Sequence, residues 1–187
     1  MKVLKGCSAP QPPGCACVLV IKRYTHCMPY SREEPLFLEI LDEQDDLLVD
    51  LEKVRAVCER ILADGNIISG RINVVLVNGN TIQQFNRDFL HHDYPTDTIS
   101  FPIEHRQSKG HLEGEVLVCT EVAKERSEEF GWTAEEESLL YVIHGMLHLI
   151  GFEDGTPEQQ TVMREKERHY LAILGIQVPN WNWDDWD

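Results

Sequence analysis

Basic residues are scarce in this chain: 17 lysines and arginines stand against 32 aspartates and glutamates, a formal charge of -15 over 187 residues. That deficit gives no general attraction to polyphosphate and argues against a broad, sequence-independent nucleic-acid clamp, although a local basic strip or a metal ion can still serve a small contact area on RNA. Long apolar runs are missing near the start as well. The stretch Cys15 to Ile21 is too short to span a membrane and comes after a Pro/Gly-rich segment. No secretory signal points to an oxidising destination, so the six cysteines are expected to be reduced and the protein cytoplasmic. Cys7, Cys15, Cys17 and Cys27 lie at spacings of eight, two and ten, which fit no compact C-x-x-C type of zinc pairing. There is no internal repeat, and the length allows one sizeable core but hardly two domains.

Residues 1–35 differ from the rest of the chain. They carry five basic and two acidic side chains and include SAPQPPG, so they read as a flexible leader or a start site set too far upstream, with one short strand in CVLVIKRY. Residues 36–175 read as one domain. LFLEIL suggests an edge strand, and VDLEKVRAVCERILADG a helix burying Val54, Val57, Cys58 and Ile61 and stopping at Gly65. RINVVLVNG is a strand with a turn, NTIQQFNRDFL a short helix capped by its Asn or Thr, and HHDYPTDT a loop into the strand ISFPIE. KGHLEG reads as a turn or lid, and EVLVCTEVAKERSEEFG as a strand running into a helix. Thr133 with Glu136 opens a long helix through Ile150, and Thr156 with Pro157 opens the last one, which stops at Gly175. On that last helix Met163 and Leu171 read as core, and Arg164, Glu165, Lys166 and Glu167 as surface pairs. The sum is an α+β domain, a small mixed sheet of about four to five strands with about four to five helices. The tail, residues 176–187, is acidic and aromatic; the acidic neighbours of Trp181, Trp183 and Trp186 repel phosphate, which favours packing or a protein partner over base stacking.

The informative stretch is HGMLHLIGFED, residues 144–154. A helical wheel puts Leu140, Ile143, Leu147 and Ile150 on a buried stripe, with His144 and His148 together at its edge. The i,i+4 spacing lets both imidazoles reach one ion, and Gly151 permits a sharp exit that brings Asp154 back toward them. Two satisfied core histidines fit the same spacing. The H-E-x-x-H peptidase arrangement is excluded, because Gly145 stands where its glutamate base would be.

Several blocks together resemble one family. HGMLHLIGFED, FNRDFLHHDYPTDTISFP (residues 85–102), GEVLVCTEVAKERSEEFG and VMREKE match in order the motifs of the YbeY family of bacterial endoribonucleases. The resemblance implies a zinc-dependent, single-strand-specific endoribonuclease acting in 16S rRNA 3′-end maturation and ribosome quality control. Its expected partners are single-stranded rRNA and the small ribosomal subunit with its proteins, with neither DNA nor a membrane. Where the family holds zinc with three histidines, this chain supplies His144, His148 and, in the third place, Asp154; Glu153 takes the place of the preceding aspartate and is the alternative ligand. One zinc per chain is implied, and the carboxylate makes manganese or nickel more competitive. Leu90 stands where many relatives carry an arginine, so Arg87, His91, Arg106 and Lys109 become the candidate phosphate contacts. Arg87, Asp97 and Glu115 are the catalytic candidates; Asp97 equally suits a backbone cap, and Glu115 a partner that orients an imidazole. Two other readings stay open: a non-catalytic, metal-stabilised ribosome assembly factor, and another metal-dependent hydrolase such as a peptidase.

Overall fold

The structure, a computed structural model, describes residues 35–177. All but the last residue of the expected leader, including its CVLVIKRY strand and four cysteines, and all but the first two residues of the tail lie outside the described residues. The described residues form one α+β unit: β1 (Phe37–Asp42), α1 (Leu51–Asp64), β2 (Ser69–Val77), α2 (Gly79–Phe85), β3 (Thr98–Arg106), β4 (His111–Cys119), α3 (Thr120–Phe130), α4 (Ala134–Leu149) and α5 (Pro157–Ile173). The sheet runs β1-β2-β4-β3, with β1, β2 and β4 parallel and β3 antiparallel on the outer edge. Central strands buried from both sides read as near-continuous apolar runs, which is why INVVLV and EVLVC carry so little polar alternation.

Local chemistry sets the ends of the elements. Asp50 caps α1 by accepting from the amides of Glu52 and Lys53 at 3.0 and 3.3 Å. Thr133 and Glu136 form a reciprocal capping box on α4, and Thr156 and Gln159 another on α5. Two expectations need correction. The cap of α2 is Asn78, which accepts from Thr81 N at 2.9 Å, rather than the Asn80 or Thr81 anticipated. The KGHLEG segment is mostly strand. Gln107–Lys109 make one tight turn closed by Gly110 at φ 59, and from His111 the chain already pairs with Ser69 on one side and Arg106 on the other. Pairing on both edges overrides the weak strand propensity of its glycines and charges.

One core lies between the sheet and the helices α1, α4 and α5, and a smaller one on the opposite face beneath α2 and the π-turn Asn86–Leu90 that continues it. Strand alternation divides β4 between them: Leu112, Val116 and Val118 enter the main core, Leu117 and Cys119 the smaller one. α4 is not the one-sided helix its wheel suggests. Leu139 to Ile143 and Gly145 to Leu149 are all buried, because the sheet, α1, α3 and α5 surround it. Each fully buried Leu, Ile or Met there contributes about 1.5–3 kcal/mol. No helix among the described residues is long and apolar enough to cross a membrane.

α4 also buries an acid. Glu137 is fully inaccessible, and burial pushes its pKa from 4.5 up to about 7, with the charge of Asp97 adding to the shift and the Tyr141 hydroxyl opposing it. Its folded pKa lies above its unfolded value, so the native state holds the extra proton between those limits and stability falls as pH rises from about 4.5 to about 7. Glu137→Gln is expected to flatten that slope and to stabilise the protein at pH 8 by about 2–3 kcal/mol, read from urea melts across that range.

Candidate metal centre

The last turn of α4 and the loop after it build the site. Gly151 adopts φ 102, a conformation suited to glycine, and the turn is tied by Gly151 N to His148 O and Phe152 N to Leu147 O, both at 3.0 Å. The chain therefore reverses over the end of the helix, and Asp154 returns to the imidazoles. His144 and His148 point their Nε2 atoms at one another, 2.9 Å apart, and Asp154 Oδ2 lies 3.6 Å from each.

The remaining ring nitrogens decide what these atoms are. The Phe152 carbonyl can only accept, so His148 donates Nδ1–H to it at 2.9 Å. His144 Nδ1 faces the Glu167 carboxylate in the same sense. Both neutral rings thus carry a lone pair on Nε2, and two lone pairs and a carboxylate oxygen converge on one point. Three facing acceptors repel unless a cation lies between them. A point equidistant from the three atoms is about 2.0 Å from each, the bond length of zinc to imidazole nitrogen and carboxylate oxygen. The residues present therefore fit a divalent ion, and His144, His148 and Asp154 gather as a three-ligand cluster, which would leave a fourth coordination position for water or substrate. With no ion present the rings share protons with Asp154 instead: a hydrogen bond from His148, and then the positive charge of His148 and His144, hold its carboxyl below the ordinary range against the opposing pull of burial, a place that a bound cation takes over. Glu153 is outside the cluster.

Glu167 is the residue that sequence reasoning missed. It was expected on the surface, yet it is only 4 % exposed and braces His144. The signal was present: Met163, Glu167, Tyr170 and Leu171 fall on one helical face, and that face is the buried one. A carboxylate behind a ligand imidazole fixes its tautomer and raises its basicity. Glu167→Ala is expected to weaken zinc binding about 10–100-fold, measured by competition with a chromophoric chelator.

The other candidates lie elsewhere. Arg87 sits in the π-turn over the smaller core, paired with Asp88 and Asp93 at 3.6 Å, and His91 ends that turn at φ 61. Asp97 caps backbone, accepting from Thr98 N at 2.7 Å and Thr96 Oγ1 at 2.9 Å. Glu115 is buried beside Asn73 on the sheet face turned away from α4, and desolvation raises its pKa to about 7 while Asn73 opposes the shift. The imidazole-orienting place anticipated for it belongs to Glu167. Arg106 pairs with Glu104, and Lys109 is exposed in the turn before β4. His144, His148 and Asp154 are brought together; these other side chains are not brought to them.

Comparison with known proteins gives one answer. The family model described as Endoribonuclease YbeY matches residues 39–175. Endoribonuclease YbeY of Salinibacter ruber is 36% identical over 156 residues, covering 79% of this chain and 97% of that protein. Its namesake in Rhodopirellula baltica is 41% identical over 118 residues, covering 62% of this chain and 60% of that protein. The solution structure of a Thermotoga maritima protein superposes with a TM-score of 0.53 at 29% identity, covering 78% of this chain and 99% of that one.

Proposed function

The chain belongs to the YbeY family of endoribonucleases, and on that premise we propose that it cuts single-stranded ribosomal RNA with the help of one bound zinc ion. The observation that carries this reading is the convergence of two imidazole lone pairs and one ionised carboxylate at the exit of α4. His144 and His148 would hold the ion through Nε2, and Asp154, rather than Glu153, through a carboxylate oxygen. When bound, zinc lowers the pKa of a water and polarises a phosphoryl oxygen. Glu167 and the Phe152 carbonyl keep both rings aimed, so the centre needs little rearrangement before it acts.

The positive charge that phosphate requires would come from Arg87, His91, Arg106 and Lys109, since Leu90 offers none. Of the catalytic candidates, Arg87 would offer charge to the developing phosphoryl anion, while the carboxylates are Asp97, in the loop before β3, and Glu115, which has a pKa near neutrality but lies on the sheet face turned away from α4. The finer reading is maturation of the 3′ end of 16S rRNA and quality control on the small ribosomal subunit, in the cytoplasm. The acidic composition and Leu90 support one alternative, an assembly factor in which the metal only stabilises the fold.

The experiment is cleavage by purified, zinc-loaded protein. Single-stranded RNA should be cut, duplex RNA and DNA spared, and a chelator should stop the reaction. Asp154→Ala should lower zinc affinity by at least about 100-fold and Glu153→Ala by less than about threefold. Binding to small subunits without any cleavage would favour the assembly factor and defeat the enzymatic reading.

A further inference from the structure

One imidazole beside the exit of α4 has no part in that reading. His105 on β3 is exposed, and among the described residues neither of its ring nitrogens has a hydrogen-bond or ion-pair partner. A bulge in the edge strand decides where it points. Phe101 lies opposite Glu115 and Pro102 opposite Gly114; Ile103 is then passed over, so that Glu104 meets Glu113 and His105 meets Leu112. Side chains of paired residues share a sheet face, and Leu112 belongs to the main core, on the side of α4. In an unshifted register His105 would oppose His111 and point to the other side of the sheet.

The ring reaches the turn that joins the metal ligands. Its Cε1 lies 3.8 Å from the place that a Cβ on Gly151 would take. Gly151 stands between His148 and Asp154 in the chain, three residues from each, and its amide donates to the His148 carbonyl. Cε1 is the carbon between the two ring nitrogens, so the hydrogen-bonding edge of the imidazole faces this turn, and Gly151 has no side chain to cover it. His105 is not itself a ligand, since it stands outside the cluster of His144, His148 and Asp154. It flanks the centre without holding the ion.

We infer that His105 is a substrate contact of the metal centre, its ring N–H donating to a phosphate oxygen of the RNA strand next to the phosphate that the ion polarises. The inference rests on the ribonuclease reading and gives it a contact on the metal side of the sheet. Neutral or protonated, an imidazole keeps at least one N–H, so the contact does not depend on titration. Arg87 is already paired with acids, and Arg106 is engaged by Glu104 on the far face, whereas His105 is free to donate. A donor edge turned to the groove beside the turn suits an anionic oxygen better than a stacked base.

The test compares the full, zinc-loaded chain with its His105→Ala and His105→Gln variants on a single-stranded oligoribonucleotide. A flanking phosphate is held in ground state and transition state alike, so His105→Ala should raise KM about 10-fold and leave kcat within about twofold. His105→Gln keeps an N–H donor and should recover most of the loss. Zinc affinity, by chelator competition, should be the same in all three proteins; loss of zinc or a fall in kcat alone would show a structural role and overturn the contact. Among oligonucleotides carrying one uncharged methylphosphonate linkage each, one position should weaken the native protein about 10-fold and His105→Ala not at all. The absence of any such position would overturn the phosphate contact. An unchanged KM in His105→Ala overturns it too, while cleavage, and the ribonuclease reading with it, stands. Should the native protein cut no RNA, that reading falls, and the contact is judged by fluorescence anisotropy of the oligonucleotide: about 10-fold weaker binding to His105→Ala upholds it, and equal binding overturns it.

Discussion

His148→Ala is expected to release the zinc and lower RNA cleavage by at least about a thousandfold. The magnitude comes from what the ion supplies: bulk water ionises with a pKa of about 15.7 and zinc-bound water near about 7, so without it the supply of nucleophile at neutral pH collapses. His148 is the more telling of the two histidines to remove, because its side chain is only 1 % exposed and is held in place by the Phe152 carbonyl. Alanine leaves that carbonyl without its donor, a loss of about 1–3 kcal/mol. Circular dichroism must therefore show a folded variant before its activity is read. Cleavage that survives in a folded, zinc-free His148→Ala protein would sink the metal-dependent mechanism.

Gly145→Ala should destabilise the protein by about 1–3 kcal/mol, although alanine is the better helix former by about 1 kcal/mol. The reason is the distance between α4 and the sheet. A methyl group on residue 145 would stand 2.5 Å from Val116 Cγ1 and 3.1 Å from both Ser100 Oγ and Thr98 Oγ1. Val116 is β-branched, fully buried and has nowhere to rotate. Helix and sheet would have to part, stretching the 3.0 Å hydrogen bond from Ser100 Oγ to the Gly145 carbonyl and shifting His144 next door. A fall in Tm of about 3–10 °C is expected, together with weaker zinc binding. An unchanged melt would show that the close approach is not tight. The same contact explains why Gly145→Glu would not convert the centre into a peptidase: the new carboxylate would be driven into Val116.

Much of the site was legible in the sequence because the relevant signals are local. The capping residues Thr133 and Thr156 are read within one turn of the helices they start, and His144 and His148 lie within one turn of each other. Asp154 was legible through motif register and the turn at Gly151. Glu167 was not, since its role depends on which face of α5 meets α4, a choice made by packing between distant segments. For the same reason the wheel of α4 misled: a helix enclosed on every side has no polar face to reveal its orientation. The strand status of His111 to Gly114 depends on partners about 40 residues upstream. Glu115 lies across the sheet from the imidazoles because one residue of strand parity carries a side chain to the other side.

The enclosure of α4 bears on how the molecule is assembled during synthesis. β1, β2 and β4 are parallel and cannot pair through hairpins, so the sheet awaits long-range closures that are entropically slow. Only then does α4 find its seat. Until that moment the nascent chain presents LLYVIHGMLHLI as an unsheltered greasy peptide, open to self-association and to chaperones. The polypeptide that carries the metal ligands is thus also the one most in need of protection on the ribosome.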